Sequence, residues 1–144
     1  MAEQNETAVR RMIEDHWNKK QFELVNEVFL PNVSIHTPDG TLGGLEGASF
    51  LLQAYATAFP DFRLDVEDLL AAGEEVAFRW TFTGTQSGAL GAIPATSRQV
   101  RIPGCIAIAR LSSGKVERLD MSWDRYELMQ QLGVLPAAAP AAQV

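Results

Sequence analysis

The chain has 144 residues, of which 47% are hydrophobic and 21% are charged, a balance typical of one globular domain with a sizeable core. Its formal net charge of −6 argues against nucleic acids and anionic membrane surfaces as partners, because both require clustered Lys and Arg. The single cysteine, Cys105, excludes an intramolecular disulfide framework and fits a reducing compartment. Since no apolar leader or long apolar run is present, we expect a cytoplasmic protein.

Apolar residues at helical spacing predict three helices in the first part of the chain, Glu6 to Lys19, Phe22 to Phe29 and Leu45 to Phe59. Pro31 restricts the residue before it to extended conformations and ends the second helix, and Pro60 ends the third. A short alternating segment between the last two helices predicts an early strand. It covers Asn32 to Thr37 and leads into the turn Pro38 to Gly40.

Beyond Pro60 the apolar residues alternate, which predicts strands joined as an antiparallel meander. The four predicted strands are Phe62 to Leu69, Val76 to Thr83, Val100 to Leu111 and Val116 to Asp124. A long connection, Gly84 to Arg98, is predicted to form the lip of a site. With the early strand completing the sheet, the order of elements predicts an α+β domain in which helices cover one face of a curved sheet.

The C-terminal part begins with a helix start signal. Asp124 and Glu127 have the spacing of a capping box for a last short helix, and Gly133 ends that helix. Residues 135–144 form an Ala/Pro tail with nothing to pack it, so the sequence predicts one domain over 1–134 and a disordered tail.

The last strand carries an unusual row of polar side chains. Its alternation places Leu119, Met121 and Trp123 on one face, and on the other Arg118, Asp120, Ser122 and Asp124. Two interpretations remain open for the polar row. It is solvated, as on an ordinary half-exposed strand, or it lines a pocket.

Several local motifs resemble the SnoaL-like polyketide cyclases and predicted ester cyclases. The similar segments, in chain order, are His36-Thr37-Pro38-Asp39-Gly40, Ala58-Phe59-Pro60-Asp61, Val76 with Arg79 and Gly84-Thr85, Gly91-Ala92-Ile93-Pro94-Ala95, and Gly114-Lys115-Val116 followed by Asp124 and Gln131-Leu132-Gly133. The resemblance implies the cone-shaped fold of nuclear transport factor 2. It also implies cofactor-free aldol chemistry on polyketide esters, with an aspartate of the last strand as acid and base. Other enzymes with this fold hydroxylate polyketides or open epoxides.

Four residues are candidates for the chemistry. Asp120 or Asp124 would transfer the proton, and Asp124 matches the family position better by its distance from Gln131-Leu132-Gly133. His36 would assist by hydrogen bonding to a carbonyl, and it could equally be a structural histidine. If Arg79 faces the interior, its guanidinium needs a carboxylate, and Asp120 or Asp124 is the expected partner. If it faces solvent, it is equally well explained as a surface charge.

Further residues are candidates for binding a hydrophobic carbonyl or polyketide-like ligand. They are Trp17, Phe50, Tyr55, Trp80, Ser122 and Trp123, although the aromatic ones also suit a core. No compact set of metal ligands and no cofactor-binding motif is present, so we expect neither a metal nor a cofactor.

The alternatives to a cyclase are a non-catalytic binding or dimerisation module of the same fold, and a hydroxylase or epoxide hydrolase. An apolar outer sheet face would further predict a homodimer.

Overall fold

The computed structural model describes residues 2–135, which form a six-stranded sheet with helices against one of its faces. The predicted tail lies outside the described residues, except for Leu135. The helices are α1 (Ala2–Arg11), a π-helix (Met12–Asn18), a 3₁₀ turn (Phe22–Leu24), α2 (Val25–Val28), α3 (Gly44–Ala58) and α4 (Arg125–Leu132). No helix within residues 2–135 combines the length and apolar character needed to cross a membrane.

The strands are β1 (Phe29–Thr37), β2 (Gly40–Gly43), β3 (Arg63–Ala72), β4 (Glu75–Thr85), β5 (Gln99–Ser112) and β6 (Lys115–Ser122). They lie in the order β2-β1-β6-β5-β4-β3. The β3 to β6 meander is antiparallel, as predicted, and β1 joins it by parallel pairing with β6, so that His36 lies beside Asp120. The predicted α+β class and the early strand are confirmed.

Several ends shift by a few residues, and two segments have a different secondary structure from the predicted one. The second helix was predicted to reach Phe29, but Phe29 is the first residue of β1, where it pairs with Val116. The register of β1 on β6 breaks between Phe29 and Ser34, where Pro31 has no amide hydrogen for the ladder. The segment after the Pro38 turn was predicted as loop and instead forms β2, a short edge strand held by backbone pairing with β1.

The core lies between the helices and the inner face of the sheet. On β4, Val76, Phe78 and Trp80 are buried on that face. They pair with the small residues Ala109, Ala107 and Cys105 of β5. Helical residues complete the core from the other side, namely Val9, Met12, Ile13 and Trp17. The helices therefore cover the face of the sheet that carries the tryptophan and phenylalanine side chains.

The helix ends follow their local chemistry. The side chain of Asp124 accepts a hydrogen bond from the Glu127 amide at 2.9 Å, which confirms the predicted N-cap of α4. Gly133 ends α4 with a positive φ of 74°, a conformation that glycine adopts without a Cβ penalty.

The long loop after β4 is closed by a buried amide. Gln86 is 0% exposed, accepts hydrogen bonds from the amide and hydroxyl of Thr96, and donates to the Pro94 carbonyl. The Gly88 amide donates to the Ala58 carbonyl at 3.2 Å, which attaches the loop to the end of α3.

Candidate functional site

A cavity of about 70 Å³ lies between the inner sheet face and the helices. Its walls are almost entirely apolar, with aromatic side chains from the π-helix, α3, the residue before β3, the strand β4 and the segment before α4. These aromatic residues are Trp17, Tyr55, Phe62, Trp80, Phe82 and Trp123. Such an apolar enclosure with few polar groups is typical of a site for a small hydrophobic ligand.

The cavity brings together four of the residues predicted to bind substrate, Trp17, Tyr55, Trp80 and Trp123. Two others lie elsewhere. Phe50 is 62% exposed on α3, and Ser122 is exposed at the end of β6. The loop predicted to form the lip contributes no residue to the lining, because it packs against the end of α3.

One polar group carried by a lining residue is the hydroxyl of Tyr55. It donates a hydrogen bond to Oδ2 of Asp39 at 3.0 Å. The other carboxylate oxygen of Asp39, Oδ1, lies 2.7 Å from Nε of Arg125. Tyr55 therefore connects an apolar cavity to a carboxylate that an arginine holds in place from the other side.

Three separate elements supply this group. Asp39 lies in the turn between β1 and β2, where Thr37 Oγ1 accepts from the Asp39 amide and donates to the Gly40 carbonyl. Tyr55 belongs to α3, and Arg125 is the first residue of α4, directly after its N-cap. The hydrogen bonds of the turn thus fix the position of Asp39. The packing of α3 and α4 places the phenol of Tyr55 and the guanidinium of Arg125 against its carboxylate.

Burial and nearby charge determine the protonation states along the cavity wall. Burial, reinforced by the negative charge of Asp39, holds the pKa of Tyr55 well above its usual value, so the phenol keeps its proton at neutral pH. Burial raises the pKa of the Cys105 thiol to about 11, with a further contribution from the charge of Asp124. Tyr55 can therefore act as a hydrogen-bond donor, and Cys105 is a poor nucleophile.

Asp124 lies beside the cavity without lining it. Its side chain caps α4, its chain neighbour Trp123 lines the cavity, and its charge acts on Cys105 in the wall. Of the two aspartates predicted to transfer a proton, Asp124 is the one next to the cavity.

Asp120 and His36 come together on the opposite, outer face of the sheet. Oδ2 of Asp120 accepts from Nε of Arg118 at 2.9 Å, and Oδ1 lies 3.9 Å from Nε2 of His36. The side chains of His36 and Asp120 are 38% and 43% exposed. His36 also contacts the hydroxyls of Ser34 and Thr41. The polar row of β6 is thus solvated at Asp120, and no residue of this cluster belongs to the cavity lining.

Arg79 faces solvent, so the partner expected for an interior Arg79 does not apply, and the alternative of a surface charge describes it. Arg79 lies on the outer face, where its guanidinium pairs with Asp68 on the neighbouring strand β3, and not with Asp120 or Asp124. The alternation on β4 puts Arg79 opposite Phe78 and Trp80, and those aromatic residues occupy the inner face.

Sequence reasoning missed Asp39 and Arg125 as site residues. Asp39 was recognised as part of a turn and of a family-like motif, and Arg125 was not considered. The only available signal was the position of Asp39 in the motif His36 to Gly40. Its contacts come from α3 and α4, which no local pattern connects to the turn.

Comparison with known proteins supports the resemblance seen in the motifs. A family model described as SnoaL-like polyketide cyclase matches residues 7–132. A candidate SnoaL-like polyketide cyclase from Jannaschia sp. CCS1 is 21% identical, with 94% of this chain and 95% of that chain covered and a TM-score of 0.85. AclR, a candidate hydroxylase from Streptomyces galilaeus, is 22% identical, with 99% and 93% covered and a TM-score of 0.83. Among curated proteins no match is found.

A third solved structure identifies the fold. A protein from Catenulispora acidiphila DSM 44928, described as having a ketosteroid isomerase-like fold, is 14% identical, with 89% of this chain and 93% of that chain covered and a TM-score of 0.75. The predicted nuclear-transport-factor-2-like architecture is therefore confirmed.

Proposed function

Because the chain belongs to the SnoaL-like polyketide cyclase family, we propose that it is a cofactor-independent enzyme acting on a hydrophobic carbonyl compound by acid and base catalysis. One observation carries the proposal. Tyr55 lines an apolar cavity, and its hydroxyl donates a hydrogen bond to the carboxylate of Asp39. An intramolecular aldol reaction needs both components, a place for an apolar carbon skeleton and groups that move a proton.

In the proposed reaction the apolar part of the substrate occupies the cavity and its carbonyl lies near Tyr55. A carboxylate takes the α-proton, and the electrons of the broken C–H bond move towards the carbonyl oxygen. Once the carboxylate is protonated it no longer needs the hydrogen bond from Tyr55, so the phenol can donate to the developing enolate instead. The α-carbon then attacks a second carbonyl of the same molecule, a C–C bond forms, and the proton returns to the new alkoxide.

We assign the carboxylate role to Asp39, which is one hydrogen bond from the cavity wall. Arg125 fixes its orientation through the oxygen that Tyr55 leaves free. The sequence-based alternatives remain predictions. Asp124 would act from its place beside Trp123 and Cys105, whereas Asp120 with His36 would require a substrate on the outer face.

The test uses α-proton exchange, which requires no knowledge of the natural substrate. Loss of the α-proton signal of ethyl benzoylacetate in D₂O is followed by NMR and compared with the buffer rate. Tyr55→Phe and Asp39→Asn are each expected to lower the protein-dependent rate by about 10² to 10⁴ fold. The matched control Asp120→Asn, on the outer face, should keep the wild-type rate.

The other outcomes separate the alternatives. If Asp124→Asn loses exchange and Asp39→Asn keeps the normal rate, then Asp124 is the base and not Asp39. Loss of exchange in Asp120→Asn alone would move the site to the outer face. If the wild-type protein binds the ketoester and leaves its exchange rate at the buffer value, the catalytic proposal fails.

A non-catalytic binding module is the second candidate, favoured by the absence of any ionised side chain from the cavity lining within residues 2–135. A protein that only binds a hydrophobic ligand needs an apolar cavity and no catalytic side chain. The exchange experiment distinguishes the two functions, because the module would bind the ketoester without accelerating exchange.

The proposal includes a homodimer formed through the outer sheet face and a cytoplasmic location. Ile106 and Ile108 of β5 are 51% and 45% exposed on that face, where a second copy would cover them. Sedimentation at tens of micromolar should give about twice the chain mass of 15.8 kDa, and Ile108→Lys should shift it to the monomer. A wild-type protein that sediments as a monomer would contradict the dimer.

A further inference from the structure

Trp123 holds a buried donor without an acceptor. Its indole nitrogen Nε1 is buried and makes no hydrogen bond to any residue in the described part of the chain. An N–H group removed from water without a compensating acceptor is unfavourable, and such groups are rare in folded proteins. An unpaired donor at a cavity wall therefore calls for an explanation.

The position of Trp123 connects this donor to the cavity. Trp123 lines the cavity and packs edge to face on Tyr55, with ring centroids 5.8 Å apart and an interplanar angle of 80°. It lies between the end of β6 and Asp124, the cap of α4, so both sides of the chain are anchored. The hydroxyl of Tyr55 is already committed to Asp39, which leaves the indole N–H as the unpaired donor of this ring pair.

We infer that the indole N–H of Trp123 donates a hydrogen bond to an oxygen of the ligand in the cavity, and that this bond selects carbonyl compounds over hydrocarbons of the same shape. The inference rests on the proposed function only in placing the ligand in this cavity, and it holds for an enzyme and for a binding module alike.

The remaining wall defines the class of ligand further. Its other side chains are mainly aromatic and aliphatic, and the Cys105 thiol donates to the Ile102 carbonyl at 3.4 Å. No Lys or Arg of the described chain belongs to the lining, so nothing there compensates a buried negative charge. The ligand class is therefore a neutral ketone, ester or quinone, not a carboxylate.

The experiment compares two ligands that differ only in whether one position is a carbonyl oxygen or a CH₂ group. Acetophenone carries a C=O group where α-methylstyrene carries C=CH₂, and the two otherwise have nearly the same shape. Their dissociation constants are measured by NMR titration on the full-length wild-type protein. They are measured again on a protein with β-(3-benzothienyl)alanine at position 123, which replaces the indole N–H by sulfur and keeps the ring size.

We expect this replacement to weaken acetophenone binding by about tenfold and to leave α-methylstyrene binding unchanged. Trp123→Phe also removes part of the ring, so it should weaken both ligands but acetophenone more strongly, with melting curves confirming its fold. Trp17→Phe is the matched control, because it replaces another indole ring of the cavity wall by a smaller ring at a position not proposed to bond the ligand oxygen. It should affect both ligands equally.

Equal weakening of both ligands by the sulfur replacement would overturn the inference and assign Trp123 a purely steric role. Unchanged binding of both would also overturn it, with the N–H satisfied by the ring face of Tyr55. A selective loss of acetophenone in a protein that catalyses no exchange would support the inference while the enzyme proposal fails, so the two are tested separately.

Discussion

The two faces of the sheet use the same strands for different purposes. The inner face holds the buried aromatic residues and the cavity, while the outer face holds ion pairs such as Arg118 with Asp120 and Arg110 with Glu117, at 2.9 and 3.3 Å. The side chains of these pairs are about half exposed, so solvent screens their charges and they contribute little to stability. The row of charged residues on β6 is therefore solvated, and the carboxylate that we propose for the chemistry lies in a turn instead.

The largest expected difference between the faces lies at two adjacent residues of β6. Leu119 is 0% exposed on the inner face, so Leu119→Ala should lower the free energy of unfolding by about 2 to 5 kcal/mol. Asp120→Ala, on the outer face, should change it by less than about 0.5 kcal/mol. Urea denaturation of both variants measures this difference, and similar losses at both positions would break the comparison.

A buried polar side chain should contribute more than an exposed ion pair. Gln86→Leu leaves the Thr96 amide and the Pro94 carbonyl without their partner, and should cost about 1 to 3 kcal/mol of unfolding free energy. The exposed Gln53 on α3 provides the matched control, since Gln53→Leu breaks no buried hydrogen bond. A loss at Gln86 no larger than at Gln53 would show that water replaces the lost partners.

The cap of α4 gives a smaller effect that separates capping from charge. Asp124→Ala removes the acceptor for the Glu127 amide and should cost about 1 kcal/mol, whereas Asp124→Asn keeps an N-cap and should cost only a few tenths. Thermal or urea unfolding measures both. Equal losses in the two variants would mean that the negative charge matters and the cap does not.

The smallest effect is a dependence of stability on pH. Burial lowers the pKa of His16 below 6.5 against weaker opposing contributions from the Gln21 carbonyl and from Glu23. The unfolded state then binds the proton first, so stability is fully present above about pH 6.5 and falls as the pH decreases through the depressed value. Comparison with His16→Gln should show a shallower decline in the variant as the pH falls below about 6.5. Parallel curves would contradict this assignment.

The order of the elements and the alternation of the strands were predictable because they depend on local backbone geometry. Side chains of β6 alternate by the pleat, so Leu119 and Asp120 had to occupy opposite faces. The cap at Asp124 was likewise predictable from its spacing to Glu127. The edge strand β2 was not, because its sequence reads as a glycine-rich loop and only pairing with β1 makes it a strand.

Which face became the interior was decided by the tertiary structure. The helices packed on Val76, Phe78 and Trp80, and this one event left Arg79 and Asp120 with solvent. Burying aromatic area is worth far more than pairing charges in a low-dielectric core, where desolvation opposes the Coulomb attraction. The same packing brought Tyr55 and Arg125 to Asp39 from distant parts of the chain, a convergence that no local spacing contains.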